Sequence, residues 1–483
     1  MEKTLKERTT SALIWSFIDK FGQQIIFLAT GIVLGRKLSP DEYGLVGTLT
    51  FFIALSTILI GSGYGRALIN KAEIKQEELS TVFIYNIGTG ILLYLILFFC
   101  APLISLFFKQ PALTDLSRVL FISILFISFT NVQDIYLLKK MDLNGMAKAN
   151  ILSLFPACVL AGWAALAGFG VWALVIQTVA MNFLKTIFYW HYAKWHPSLV
   201  FKPSILKEMF PFGSKVLLTN LINTLFNNIY FLLIGRIYNM TQLGYFTQAN
   251  KYQEIPSNLI SNTFRSVSTP LLSELNNDNN RLKRVLSKLV KTIALICFPV
   301  LLGLILVSKP LFIILITEKW LPSVPIFRIL CVAGIFTVLN YVLQESILAK
   351  GKSGELLLVE ILKKVILVVL ILITLNKGVL GLAIGWAVSA FITLLLTIFL
   401  TNRIVRYSIF DLIKDCYPYF TLSLALCVAG YFLSLPITNN TIFLITCISF
   451  VGGLYVLGCR LFKLEASEEL FSLLEKKTYK RTL

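Results

Sequence analysis

GVLGLAIGWAVSAFITLLLTIFL, residues 378–400, holds no charged side chain. Coiled as a helix it is about 35 Å long, enough to cross roughly 30 Å of hydrocarbon. Working outward, Ile91–Ala101, Ile293–Val307 and Val365–Leu375 repeat the same composition, and each extends with its neighbours to about twenty apolar residues. Of the 483 residues 57% are hydrophobic and 14% charged, which excludes a soluble fold. Apolar stretches bounded by charge, Gly or Pro predict spans near 11–34, 44–66, 80–108, 114–137, 148–167, 170–190, 212–235, 244–268, 286–307, 322–348, 355–375, 378–402, 415–435 and 441–460. The expected fold class is an all-α polytopic membrane protein of about fourteen transmembrane helices.

Loop charge tests that number independently, because Lys and Arg collect in cytoplasmic loops. With the amino terminus inside, the cytoplasmic set holds Lys3, Lys6, Arg8, Lys71, Lys75, Lys139, Lys140, Lys148, Lys194, Lys202 and Lys207. It continues with Arg281, Lys283, Arg284, Lys288, Lys291, Lys350, Lys352, Arg403, Arg406 and a basic tail, whereas the opposite set has little beyond Arg36, Lys37, Lys109, Arg236, Lys309, Lys319 and Lys377. Both termini are therefore expected in the cytoplasm. The net charge of +19 is loop charge of this kind, not a nucleic-acid-binding face.

An internal repeat follows. IVLGRKLSPDEYG (32–44) ends the first span and LLIGRIYNMTQLG (232–244) ends the seventh, so Gly35, Arg36 and Gly44 stand two hundred positions before Gly235, Arg236 and Gly244. In each, a helix ends, an Arg lies at an interface, and a polar turn leads through Gly into the next span. Six spans per unit give both halves one orientation, related by an axis along the membrane normal, with substrate expected between them. The predicted organisation is a six-helix lobe at 1–190, an amphipathic linker at the inner surface at 191–211, and a second six-helix lobe at 212–406. Two extra helices follow at 407–462, then a basic cytoplasmic tail at 463–483.

Polar residues recur at helical spacing inside several spans. The first carries Ser16, Lys20, Gln23, Gln24 and Thr30 with Asp19 alongside; the seventh carries Lys215, Thr219, Asn223, Asn227 and Tyr230; the eighth carries Thr247, Lys251, Glu254, Asn258, Asn262, Arg265 and Thr269. A charge facing lipid costs roughly 2.5 kcal/mol or more, so a cationic, amide-rich cavity is expected. Its candidate substrate-binding residues are Lys20, Gln23, Gln24, Arg66, Lys215, Asn223, Asn227, Lys251, Asn258, Asn262 and Arg265. For Arg66, Lys185 and Arg265, snorkelling to the interface is the competing reading, and Lys363 and Lys364 are equally interfacial. Cations neutralise phosphate and amides pair with sugar hydroxyls, so such a lumen suits a phosphorylated glycan better than a hydrophobic cation. Asp19, Glu254 and Glu345 are candidates for H⁺ or Na⁺ coupling, with a structural ion pair as the other reading.

The remaining chemistry is sparse. Cys100, Cys158, Cys297, Cys331, Cys416, Cys427, Cys447 and Cys459 lie mostly in apolar segments without metal-ligand spacing and read as packing residues. His191 and His196 flank a helix end beside Trp190 and Trp195, where an interfacial aromatic belt is expected. No catalytic residue, metal or cofactor is predicted. Pro156, Pro256 and Pro299 lie within spans, and Gly61, Gly63 and Gly65 loosen the end of the second; these are candidate bending points.

Four stretches carry a family resemblance: LGRKLSPDEYGLVG (34–47), GFGVWALV (168–175), FPFGSKV (210–216) and GRIYNMTQLGYFTQANKYQEIP (235–256). With them the chain resembles the polysaccharide flippases of the Wzx type, in the superfamily that also holds the MATE drug exporters and the lipid II flippases. The resemblance implies a bacterial inner-membrane protein that flips an undecaprenyl-pyrophosphate-linked oligosaccharide to the outer leaflet by alternating access of two lobes. The LSPDEYG pattern is similar to that of colanic-acid and teichuronic-acid exporters, which implies an O-antigen, capsule or exopolysaccharide unit. Implied partners are the lipid-linked oligosaccharide, membrane lipids, and polymerase and chain-length proteins of the same pathway, with no nucleic acid. Gly35, Pro40, Tyr43 and Gly44 of the motif read as structural. Two rivals stand: a MATE-like cation-coupled exporter, whose lumen would favour acidic residues, and a polymerase or ligase, which would need a sizeable external loop.

Overall fold

A computed structural model describes the backbone of residues 5–273, 275 and 278–468, with the side chains of that range except 5–14, 16–18, 266, 267, 269, 270 and 273. The expected basic tail beyond 468 and the stripe members Ser16 and Thr269 lie outside the described side chains. The described structure is helical: α1 (Leu5–Lys37), α2 (Pro40–Gly61), α3 (Tyr64–Asn70), α4 (Gln76–Phe108), α5 (Leu113–Leu120), α6 (Ile122–Lys139), α7 (Leu143–Leu166), α8 (Trp172–Ala193), α9 (Pro203–Ile237), α10 (Met240–Ser273), α11 (Asn279–Ile316), α12 (Ser323–Ala349), α13 (Ser353–Thr374), α14 (Gly378–Val405), α15 (Ile409–Ser434) and α16 (Asn440–Leu461).

Ten of these stretches, with α5 and α6 taken as one at 113–139, are long and apolar enough to cross a membrane. The polar α1, α10 and α13, together with α14, which is uncharged from 378 to 402, bring the long helices among the described residues to fourteen. The chain is a polytopic α-helical membrane protein.

The repeat motif is a helix start, where the sequence reading placed a polar turn before a span at 44. Ser39 caps α2: its Oγ accepts from the Glu42 backbone N–H at 3.4 Å, while Glu42 Oε2 accepts from the Ser39 N–H at 2.7 Å. Pro40 fills the first helical position, where its missing N–H has no partner to lose. Two hundred residues on, Asn239 does the same for α10, its Oδ1 accepting from the Gln242 N–H at 2.8 Å. Each helix-to-helix connection is thus only two residues, 38–39 and 238–239.

The chain divides into two compact units, Met1–Thr247 and Gln248–Leu483. By this division α9 and the first two turns of α10 belong to the first unit, whereas the sequence reading begins a second lobe at 212. Small residues are the physical reason. Gly213 on α9 lies against the Ser62–Tyr64 break, and Gly235 at its other end lies against Thr48 of α2 and Phe108 of α4. At the start of α10, a methyl placed on Gly44 would overlap the Met240 carbonyl, and one placed on Gly244 would overlap the Pro40 carbonyl. The two repeats therefore meet reciprocally within this unit, joined by Thr241 Oγ1 donating to Asp41 Oδ1 at 2.5 Å.

The second span is broken, not merely loosened: α2 stops at Gly61, Ser62 and Gly63 take the left-handed conformation (φ 43° and 72°), and α3 follows. The predicted 191–211 linker resolves into the end of α8, a non-helical strap at 194–202, and the start of α9. Trp195 is only 4% exposed, packed within the protein, and its Nε1 donates to Gln76 Oε1 at 2.6 Å.

In the second unit α12 packs against α11 and α14, and α15 and α16 pack on α11. On α14 the hydroxyls of Thr393, Thr397 and Thr401 are buried and bond the carbonyl four residues back, which lets a polar row face a helix neighbour without unmet donors. Tyr455 of α16 donates to the Leu295 carbonyl of α11 at 3.0 Å, and Lys291 of α11 pairs with Asp415 at 3.6 Å and Glu465 at 2.5 Å. Seven of the eight cysteines are buried and Cys100 is half-buried, all as free thiols.

Candidate functional site

In the first unit, α1 places Lys20 in an exposed position and Gln23 and Gln24 half-buried. Gln23 Nε2 donates to Asp19 Oδ1 at 2.7 Å. The second carboxylate oxygen accepts from Asn150 Nδ2 of α7 at 3.1 Å, and Asn150 Oδ1 accepts from Tyr189 of α8 at 3.1 Å. Lys185 lies over the Tyr189 ring, 5.1 Å from its centroid. One carboxylate thus accepts from two amides, on α1 and α7, and the second of these in turn accepts from the phenol of α8. Asn150 and Tyr189 escaped the sequence reading, because a partner 131 residues away has no local spacing to betray it.

On α9, Lys215, Thr219 and Asn227 are exposed and Asn223 half-buried, so this predicted stripe is accessible along four turns. Tyr230 at its end is buried, stacked on Phe246. Arg66, at the start of α3, is exposed.

In the second unit α10 separates its faces sharply. Glu254, Asn258, Asn262 and Arg265 are exposed along one side, while Tyr252, Gln253 and Ser257 are buried on the other, with Gln253 donating to Ser257 at 2.7 Å. Gln253 and Ser257 fill the space left by Gly334 of α12, which fixes the register of the two helices. Lys251 is half-buried, and Asn250 Nδ2 donates to Glu254 Oε1 at 3.0 Å.

At the end of the exposed stripe, Arg265 Nε donates to Glu345 Oε1 of α12 at 2.9 Å, with the guanidinium 5.5 Å from the Tyr341 centroid. The side chains differ greatly in access, 57% exposed for Arg265 against 6% for Glu345. The buried carboxylate therefore holds a guanidinium that solvent reaches. A predicted binding residue and a predicted coupling residue prove to be one ion pair. Near it, Glu360 of α13 accepts from Gln344 at 3.0 Å and pairs with Lys363 at 3.7 Å. Among the described residues no three His, Cys, Asp or Glu side chains gather as a metal site would require.

A model of the family described as "Polysaccharide biosynthesis protein" matches residues 33–325. The chain belongs to this family. Among its relatives the chain is 30% identical to the teichuronic acid biosynthesis protein TuaB of Bacillus subtilis (strain 168), over 72% of this chain and 73% of that one. It is 24% identical to the lipopolysaccharide biosynthesis protein WzxC of Escherichia coli (strain K12), over 90% of each. Among solved structures the fold is like that of the lipid II flippase MurJ in an inward closed conformation, with a TM-score of 0.76 at 18% identity, covering 93% of this chain and 98% of that one. It is also like that of an inward-facing multidrug resistance MATE transporter, with a TM-score of 0.63 at 18% identity, covering 81% and 96%. The family match runs from the end of α1 to the start of α12, so it takes in the reciprocal helix starts and the stripes of α9 and α10.

Proposed function

We propose that this member of the polysaccharide biosynthesis family flips an undecaprenyl-pyrophosphate-linked oligosaccharide repeat unit from the cytoplasmic to the outer leaflet of a bacterial inner membrane. The cargo serves O-antigen, capsule or exopolysaccharide synthesis, movement is by alternating access, and both termini lie in the cytoplasm. The observation that carries the reading is the accessible side of α10, where Asn258 and Asn262 lead to a guanidinium held by a buried carboxylate. A fixed Arg suits a diphosphate, which it contacts with charge-assisted hydrogen bonds, and carboxamides suit sugar hydroxyls, since they both donate and accept. Lys251 carries the same chemistry on α10, and within the first unit Lys20, Gln23, Gln24, Arg66, Lys215, Asn223 and Asn227 carry it on α1, α3 and α9. The names of TuaB and WzxC, and the likeness to MurJ, support a lipid-linked sugar as cargo. Asp19 and Glu254, each accepting from a side-chain amide, are the groups we assign to H⁺ or Na⁺ coupling, whereas Glu345 serves Arg265.

The test is genetic and biochemical together. A strain lacking the protein should accumulate lipid-linked glycan on the cytoplasmic face, and the wild-type gene should relieve it. A variant with Lys20, Lys215 and Arg265 all replaced by Gln should fail to do so when compared with wild type at matched abundance in the membrane, since loss of the Arg265 charge also destabilises the fold. Normal export by that variant would sink the assignment.

A further inference from the structure

The strap at 194–202 alternates in a way that packing within the protein does not use up. Its inward side is fastened to the first turns of α4 at several points. Trp195 is buried against Phe83, with centroids 5.8 Å apart, and Gln76 Nε2 donates to the His196 carbonyl at 2.7 Å. The backbone N–H groups of Ser198 and Lys202 donate to Ser80 Oγ at 2.9 Å and Thr81 Oγ1 at 3.2 Å. Lys202 pairs with Glu77 at 2.6 Å, and Lys71 joins Glu78 at 2.7 Å to Glu208 at 2.9 Å. These two carboxylates hold the Lys71 ammonium pKa above its usual range.

The outward side is different. Leu199 is 102% exposed, the most exposed large apolar side chain among the described residues, and Phe201 of the strap and Phe210 and Phe212 of α9 are exposed as well. Lys194 and Lys207 are exposed and make no ion pair among the described residues, and Lys75, which ends the connection into α4, and Lys140, which begins the connection after α6, are exposed too. α9 has 35 residues and is therefore about 52 Å long, more than roughly 30 Å of hydrocarbon requires, and the charges of its first turns, Lys207 and Glu208, fit headgroup depth better than the apolar interior. A rigidly fastened, non-helical strap thus presents aromatic and leucine side chains amid unneutralised lysines where chain and headgroups meet.

We propose that this strap is an interaction surface for anionic phospholipid headgroups, with Leu199 and Phe201 inserted among the upper acyl carbons and Lys194 and Lys207 on the phosphates. Apolar insertion supplies a sequence-independent hold and the lysines supply preference for negative lipid, each by about fivefold. The surface is independent of the cargo proposed above. It anchors the strap end of α9 in the leaflet, so lipid charge there bears on the element that joins Gly213 to the α2–α3 break.

The experiment uses the full chain with Cys100→Ser and Leu199→Cys, labelled with bimane and reconstituted in mixed phosphatidylcholine and phosphatidylglycerol vesicles. The other cysteines are buried, and Leu199 packs against nothing whose loss would unfold the protein. Lipids of one class at a time carry brominated acyl chains. Bimane should be quenched by brominated lipid and shielded from aqueous iodide, with phosphatidylglycerol favoured over phosphatidylcholine. Adding Lys194→Gln and Lys207→Gln should lower that preference about fivefold per lysine while leaving quenching by total lipid intact. Equal quenching by the two lipid classes, a preference unmoved by the lysine substitutions, quenching by iodide alone, as a surface left in water would give, or quenching by neither, overturns the proposal.

Discussion

A single methyl group at Gly244 tests whether the two repeats meet as described. Alanine there would set its Cβ on the Pro40 carbonyl, and alanine at Gly44 would set its own on the Met240 carbonyl. Both obstacles are backbone at capped helix starts, so neither can rotate aside. Ordinary contact begins near 3.4 Å, so the helix starts must part, which loosens the Gly47 contact with Thr247 and the Asp41 hydrogen bond to Thr241. Overpacking of this kind costs about 1–3 kcal/mol. The two substitutions share one interface, so the second should cost less than the first, with a coupling of about 0.5–3 kcal/mol. The assay is the thermal midpoint of the purified full chain, with Gly88→Ala as control, where nothing lies within 4 Å of the added methyl and helix propensity predicts a gain of about 0.5–1 kcal/mol. Midpoints at or above wild type for Gly44→Ala and Gly244→Ala, or strict additivity in the double variant, would refute the reciprocal contact.

Other outcomes follow from the same reasoning. Arg265→Ala strips a buried carboxylate of its counter-charge and should cost about 3 kcal/mol, whereas Glu345→Ala leaves an accessible guanidinium that water can solvate and should cost about 1 kcal/mol; equal midpoint losses would contradict the burial asymmetry. Exchanging the pair, Arg265→Glu with Glu345→Arg, should recover midpoint lost in Arg265→Glu without recovering glycan export, and recovered export would show that the pair is only structural. Trp195→Phe keeps the ring against Phe83 but loses the bond to Gln76, at about 0.5–1.5 kcal/mol, while Trp195→Ala should cost about 3–5 kcal/mol, both read by denaturation of the full chain.

Much of this architecture was legible from local pattern. The GLAIGWAVSAFITLLLTIFL run and its counterparts announce helices through length and the absence of charge, which are properties of a segment alone. The repeat was legible too, as Gly44 and Gly244, but its meaning was misread: SPDE looked polar and hence like a turn, although Ser39, Pro40 and Glu42 spell a helix cap. Polar stripes on α9 and α10 followed from spacing; Lys215, Thr219 and Asn227 of α9 are exposed, whereas Tyr230 at the end of that stripe is buried. Partners did not follow. Nothing near Asp19 points to Asn150, nor anything near Arg265 to Glu345 eighty residues later.

By itself, then, the sequence determined a membrane-crossing helical chain, its approximate spans and a two-hundred-residue repeat, because helix length, capping and charge distribution are set within a few turns. Only the tertiary structure decided that α9 packs with the first unit, that the linker is a strap fastened to α4, and that a predicted binding cation and a predicted coupling acid neutralise one another. These depend on which small residues let backbones approach, as Gly63 and Gly213 do, and on which buried charges find partners, as Glu345 does. Such long-range matches carry no period along the chain.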